Sequence, residues 1–303
     1  MKLHNSAGNT CGRPIGSAFN MEEEKIIAGY DVGYYRYPWF VALMTSNIIA
    51  CGGTLIGTKA VLTAAHCYKD YIVGHNKTVK LDEIYKVILG IYNKCEKEKT
   101  QKQFPVEKVY IHEKYKEAWP YYDIALLKLK ESASSYEPIC LPKAEGTVPG
   151  MGTIKYHGST PCTLHEARIL IYPDDECRKM INRTGNDPKK VFRAFCAGYM
   201  QGGIDTCQGD SGGPLQVVDE YGNYILLGIV SFGFHCANPG LLGMYTDVSQ
   251  YVDWIEEKTG FSASIDASNV TAAPTTASNE TASTVSTMVA DQLHLIKVFL
   301  RKC

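Results

Sequence analysis

A serine set between glycines and beside an acid, in Gly209-Asp210-Ser211-Gly212-Gly213, is the stretch of this sequence best suited to covalent chemistry. A serine hydroxyl is a weak nucleophile at its own pKa. It needs a base to take its proton, an acid to orient that base, and hydrogen-bond donors for the oxyanion that forms on an acyl substrate. Two upstream residues have the right types: His66 in Thr63-Ala64-Ala65-His66-Cys67, and Asp123 in Asp123-Ile124-Ala125-Leu126-Leu127. Taken singly, each has a plainer reading, as a structural histidine, a turn aspartate and a loop serine. Taken together they describe acyl transfer.

The same five residues match G-x-S-x-G, the nucleophile elbow of the α/β-hydrolases. That elbow leads into a helix, and its acid and histidine follow the serine in the chain. Here Pro214 lies three residues on, Leu215 to Val218 reads as a strand, and His66 precedes Ser211. Context therefore argues against the elbow.

The elements that must hold these residues are mostly strands. Phe40 to Met44, Cys51 to Ile56, Ala60 to Ala65, Lys86 to Leu89, Ile124 to Leu129, Ala167 to Ile171, Leu215 to Val218 and Tyr224 to Ser231 are short apolar runs separated by glycine, proline and asparagine. Many short strands predict an all-β barrel or sandwich. One helix is predicted near the end, with Val248, Tyr251, Val252 and Ile255 on one face and Gly260 as its stop.

Residues 1–25 read as a leader, and 26–260 as the packed region. In 261–303 the composition shifts: twelve of the 26 residues from Ser262 to Thr287 are serine or threonine, too polar to offset ordering entropy, which predicts a disordered tail. Its last sixteen residues are interrupted by His294 and Lys297, which predicts a frayed amphipathic helix and neither a lipid-anchor signal nor a membrane span.

Across all 303 residues, Lys plus Arg (31) nearly balance Asp plus Glu (32), which argues against a nucleic-acid footprint. Eleven cysteines outside CxxC pairs suit disulfides better than zinc and point to an oxidising compartment. Sequons at Asn76, Asn182, Asn269 and Asn279 are compatible with a secreted glycoprotein. Met1 to Thr10 holds no apolar run of signal-peptide length, so the expectation is a signal lying outside this sequence.

The order His66, Asp123, Ser211, each in its own motif, resembles a trypsin-like member of the chymotrypsin family of serine proteases over residues 26 to 260. The resemblance implies two packed six-stranded antiparallel β-barrels, a short C-terminal helix and a cleft between the barrels. It implies His66 as general base, Asp123 as its orienting acid, Ser231 supporting Asp123, and the amides of Gly209 and Ser211 as the oxyanion hole.

Asp205 would lie at the base of the specificity pocket, with Gly233 and Gly243 lining its walls, so that peptide bonds are cut after Arg or Lys. Lys25-Ile26 looks like an activation site: cleavage would free the Ile26 amine to pair with Asp210. The three acids Glu22, Glu23 and Glu24 would suppress self-activation by a pocket built around Asp205. The implied partners are protein or peptide substrates, an activating protease and protein inhibitors, for a secreted monomer with no cofactor.

By the same resemblance Cys51 pairs with Cys67, Cys177 with Cys196, Cys207 with Cys236, and Cys11 with Cys140, tethering the leader. Cys95, Cys162 and Cys303 stay unassigned. Gly146 and Val217 stand where many relatives carry a disulfide, and Met151 and Phe232 where tryptophan is usual. The Asn93 to Gln103 loop, rich in lysine, does not match the acidic calcium loop of pancreatic trypsins, so no metal is expected. The leader and Gly228 to Gly233 look like arthropod cascade proteases, although the leader holds no six-cysteine clip module. A catalytically inactive homologue acting as a binding or regulatory protein is the alternative function.

Overall fold

The computed structural model describes residues 11–14, 30–45, 48–68, 85–116, 121–141, 146–150, 161–190, 193–219 and 221–260. Among them, fifteen strands form two curled antiparallel sheets. The first uses β2 (Phe40–Thr45), β3 (Ile48–Gly57), β4 (Ala60–Thr63), β5 (Lys86–Leu89), β6 (Lys102–Phe104), β7 (Val106–Ile111) and β8 (Ala125–Leu129), in the order β6-β5-β2-β3-β4-β8-β7. Its inward face is a continuous apolar core around Trp39, Leu43, Leu55, Leu62, Leu89 and Leu126, all at 1% exposure or less. Such burial supplies the main favourable term of folding.

The second sheet joins β1 (Tyr30–Asp31), β9 (Gly146–Gly150), β10 (His165–Arg168), β11 (Leu170–Tyr172), β12 (Ala194–Gly198), β13 (Pro214–Val218), β14 (Tyr224–Phe232) and β15 (Gly243–Asp247). Its order is β1-β10-β9-β13-β14-β15-β12-β11. The all-β architecture is therefore present as two curled sheets of seven and eight strands, counting pieces as short as two residues. Gly146 and Val217 stand opposite one another where β9 pairs with β13.

The run Ala167 to Ile171 is not one strand. It breaks at Ile169 between β10 and β11, which pair with different partners. Ala60 to Ala65 is strand only as far as Thr63, after which a 3-10 turn, Ala65–Tyr68, carries His66.

Of the two helices among the described residues, α1 (Asp174–Arg183) has no counterpart in the expected elements. Its signals are present: Pro173 precedes it, Asp174, Asp175 and Glu176 sit in its first turn where the helix dipole favours negative charge, and Cys177, Met180 and Ile181 form its buried face. Asn182 is exposed on its last turn. The other three sequons, the activation site and the tail lie outside the described residues.

The C-terminal helix α2 (Val252–Thr259) is preceded by a 3-10 turn, Val248–Tyr251. A 3-10 turn advances three residues per turn. The buried set is accordingly Val248, Tyr251, Trp254 and Ile255, with Val252 only half-buried. Gly260, at φ 69°, ends the helix and donates its amide to the Glu256 carbonyl.

Among the described residues five disulfides join the elements. Cys11–Cys140 fastens the leader, whose Gly12 also donates to the Pro138 carbonyl at 2.8 Å and accepts from the Tyr224 amide at 2.7 Å. Cys51–Cys67 ties the His66 turn to β3, Cys177–Cys196 ties α1 to β12, and Cys207–Cys236 joins the segment before Ser211 to the one after β14. The pair that sequence left open is Cys95–Cys162. It lies beside a bridge between Asn93 and Thr163.

Candidate active site

Asp123 sits just before β8, 1% exposed, and its carboxylate is fully engaged. Oδ1 accepts the His66 backbone amide at 2.9 Å, and Oδ2 accepts the His66 Nδ1–H at 2.8 Å. The Ser231 hydroxyl, from β14, also donates to Oδ2. The Thr246 hydroxyl, from β15, donates to the Asp123 carbonyl at 2.9 Å. Two donors thus reach Asp123 from the second sheet and two come from His66 beside the first. This leaves the imidazole protonated at Nδ1, so that Nε2 is its basic nitrogen.

Ser211 lies between β12 and β13, and its carbonyl accepts the Gly52 amide of β3 at 2.7 Å, fixing the loop against the opposite sheet. The loop is closed by Asp210 N–H to the Cys207 carbonyl (3.0 Å) and Gly213 N–H to the Asp210 carbonyl (2.9 Å). Gly209 has φ 97°, a left-handed backbone that glycine accommodates without penalty. At Gly212, φ 79°, an added Cβ would stand 2.1 Å from Thr63 Oγ1 and 2.6 Å from the Gly52 carbonyl oxygen. Only a glycine fits between Ser211 and the first sheet.

His66 and Ser211 line one cleft of about 410 Å3 together with Asp205, Ser231, Gly233 and Gly243. Tyr115, Phe232 and Phe234 line it too, the two phenylalanine rings edge to face with centroids 6.1 Å apart. Asp205 is 4% exposed. Its Oδ1 accepts the Thr206 amide at 2.8 Å and its Oδ2 the Ala237 amide at 3.0 Å.

Burial pushes the Asp205 carboxyl up to about 6, and the neighbouring Asp210 charge adds to this against the two amide bonds. A Cβ at Gly243 would lie 3.1 Å from Asp205 Oδ1, whereas one at Gly233 would meet nothing within 4 Å. The cleft is tight where Gly243 faces the acid and open beside Gly233. A buried carboxylate with two donors, facing a cavity, is suited to a cationic ligand.

Asp210 is 3% exposed, and its Oδ2 accepts the Cys207 amide at 2.9 Å. Lys25 and Ile26 lie outside the described residues.

The metal question can be put to two places. Among the described residues, the group with metal-ligating atoms close together is Cys51, His66 and Cys67, but its two sulfurs are joined in a disulfide and have no thiolate to offer. In the Asn93 to Gln103 loop the Gln101 side-chain amide donates to the Asn93 carbonyl (3.1 Å), the Glu96 carbonyl (3.3 Å) and Glu98 Oε2 (3.2 Å). Backbone amides of Tyr92 and Asn93 also donate to Glu98 Oε2. A neutral side-chain donor serves three acceptors there, while the buried Glu98 Oε1 accepts no hydrogen bond from the described residues.

Sequence reasoning missed the cleft's aromatic wall, apart from Phe232. Tyr115 precedes Asp123 by eight residues and carries no motif of its own. It also missed Thr246, whose type and position in β15 are unremarkable.

Two antiparallel sheets thus carry a cleft lined by Ser211 and His66, with Asp123 bound to the imidazole. Residues 26–255 match the family model described as Trypsin, and the chain belongs to that family. It is 33% identical to serine proteinase stubble of Drosophila melanogaster over 85% of this chain and 33% of that protein. It is 35% identical to human transmembrane protease serine 11A over 83% of this chain and 58% of that protein. It is 36% identical to bovine coagulation factor XI over 78% of this chain and 38% of that protein. The chain thus spans between a third and three fifths of the length of these relatives. Among the described residues no helix is long and apolar enough to cross a membrane.

Proposed function

We propose that the protein is a secreted serine endopeptidase, made as a zymogen and cutting peptide bonds after Arg or Lys. The observation that carries this reading is the buried Asp123 carboxylate bound to His66 Nδ1 in the cleft that Ser211 and Asp205 also line. His66 Nε2 takes the Ser211 proton as Oγ attacks the scissile carbonyl carbon. The oxyanion is held by the amides of Gly209 and Ser211. The tetrahedral intermediate collapses to an acyl-serine as the imidazolium gives its proton to the leaving amine. Water, deprotonated by His66, then attacks the ester and restores Ser211. Asp123 keeps its negative charge throughout and stabilises the imidazolium.

The substrate cation enters the slot that ends at Asp205, where it neutralises a carboxylate that burial alone disfavours. Cleavage after Lys25 frees the Ile26 amine to pair with Asp210, ordering the Gly209 to Ser211 turn. The Cys11–Cys140 bond supports a leader that stays attached after that cut. Five disulfides favour an oxidising compartment.

An arginyl ester assay before and after cleavage at Lys25, followed by a peptide library, tests the proposal. The expected result is activity only after cleavage, confined to Arg and Lys at the cut bond. No hydrolysis by the cleaved protein would instead favour an inactive homologue.

A further inference from the structure

Among the described residues four other than glycine have a positive φ, and two of them, Tyr122 and Arg193, both at 55°, meet. Tyr122 directly precedes Asp123. Its carbonyl accepts the Ile124 amide at 2.7 Å, so Asp123 is the middle residue of a three-residue turn. Left-handed backbone is uncommon for a bulky side chain and persists where the surroundings over-determine it. Those surroundings are visible.

The Tyr122 ring stacks on His112, just after β7, with centroids 4.6 Å apart and planes at 17°. The Arg193 guanidinium, just before β12, lies 5.7 Å from the Tyr122 ring and 5.5 Å from that of Tyr251. Arg193 is itself fixed by Nη1–H to the Gln250 carbonyl at 2.7 Å, and its carbonyl accepts the Asp247 amide at 3.0 Å. His112 accepts the Lys114 amide at Nδ1, and burial lowers its pKa, which keeps a neutral ring beside the guanidinium.

We propose that Tyr122 and Arg193 form a clamp, built from both sheets and the C-terminal helix region, that positions Asp123 toward His66. The proposal rests on the triad reading above. Neither residue touches substrate; both are positioning residues. The clamp holds the three-residue turn closed, so the Asp123 carboxylate meets the imidazole in a fixed orientation as the imidazolium forms. A cation over an aromatic face suits this task because the attraction is directional and survives partial exposure.

The test uses the full chain cleaved after Lys25, with kcat and KM for an arginyl ester measured across pH. Tyr122→Ala and Arg193→Gln each lower kcat by about tenfold while KM stays within about twofold, because Asp205 and its slot are untouched. The acid midpoint of kcat, read with the substrate cation already seated on Asp205, moves to lower pH, since a loosely held Asp123 favours the imidazolium less. The other titratable and charged groups, Asp205, Asp210, Tyr115 and His235 at the cleft and His112, Lys114 (Nζ 5.8 Å from the Tyr122 ring), Tyr251 and Asp247 around the clamp, are the same in every variant. Tyr122→Phe restores wild-type behaviour. Should Tyr122→Ala not fold, Tyr122→Asn replaces it, as asparagine tolerates left-handed backbone without supplying the ring.

Variants that lose thermal stability yet keep kcat and the acid midpoint overturn the clamp. Ser211→Ala separates the two ideas. If it abolishes turnover while the clamp variants leave the profile unmoved, the clamp alone is wrong; if it leaves turnover intact, the triad reading is wrong.

Discussion

Replacing Asp205 by asparagine should make the fold gain stability relative to the parent as pH rises, and should destroy the specificity, and the two effects have one cause. The carboxyl is raised from its ordinary 3.8 to about 6, chiefly by burial. A raised acid favours the neutral form in the folded state, so its ionisation costs stability. Below pH 3.8 the group is protonated folded and unfolded, and nothing is lost. Between 3.8 and about 6 the unfolded chain ionises first, and above 6 the full cost is present. Roughly two units at 1.36 kcal/mol each give about 3 kcal/mol.

Asparagine never ionises, but it cannot accept both the Thr206 and the Ala237 amides, a loss that does not depend on pH. The measurable quantity is therefore the stability gap between variant and parent near pH 8 minus the gap near pH 3, at about 3 kcal/mol in favour of the variant. In a domain of this size that corresponds to a change of roughly 6 to 12 °C in the Tm difference. Thermal unfolding in a Ser211→Ala background avoids self-digestion. Meanwhile kcat/KM for arginyl esters in the active Asp205→Asn enzyme should fall by more than about a hundredfold, since a buried cation loses its partner. A Tm gap independent of pH, or unchanged hydrolysis after arginine, would refute the reasoning.

Other perturbations have equally definite outcomes. In the parent enzyme KM for arginyl esters should rise as pH falls through about 6, as Asp205 becomes protonated; a flat KM from about pH 5 to 8 would contradict it. Replacing Cys95 and Cys162 together by Ala opens a link between residues 67 apart in sequence and should cost about 4 kcal/mol of stability on chain entropy, read by denaturant unfolding. Adding a methyl at Gly212 should abolish activity, because its Cβ would overlap Thr63 Oγ1 and displace the Ser211 loop; near-normal turnover by Gly212→Ala would contradict that packing. A chelator should leave Tm and turnover unchanged, given the Gln101 amide within the Asn93 to Gln103 loop.

His66, Asp123 and Ser211, the residues proposed to do chemistry, were legible because each lies in a short motif whose order along the chain carries the information. The strongest strands were legible too: β2, β3, β5 and β8 are mostly apolar and largely buried, with Lys86 and Lys128 the charged exceptions. Other strands gave weak signals for physical reasons. β12 is built from Ala194, Phe195, Cys196, Ala197 and Gly198, mostly small residues that owe their strand to flanking partners. β1 and β6 hold two and three residues, too few for a period. In α1 the signal existed, but its apolar face of Cys177, Met180 and Ile181 is narrow, and Cys177 reads first as a disulfide position.

The Cys95–Cys162 pairing could not be read at all. It depends on the bridge between Asn93 and Thr163, where the Lys94 amide donates to the Cys162 carbonyl and the Leu164 amide to the Tyr92 carbonyl, contacts between segments far apart in sequence. The left-handed Tyr122 was equally hidden, since nothing but tertiary contact selects φ 55° for a tyrosine.

The central claim is that Ser211 is an activated nucleophile served by His66 and Asp123. Titration of the Lys25-cleaved protein with a fluorophosphonate, followed by peptide mass spectrometry, tests it most directly. One adduct per chain is expected, on Ser211, formed rapidly in the parent and at a greatly reduced rate in His66→Ala. A cleaved, folded protein that takes no label, or takes it on another residue, would contradict it.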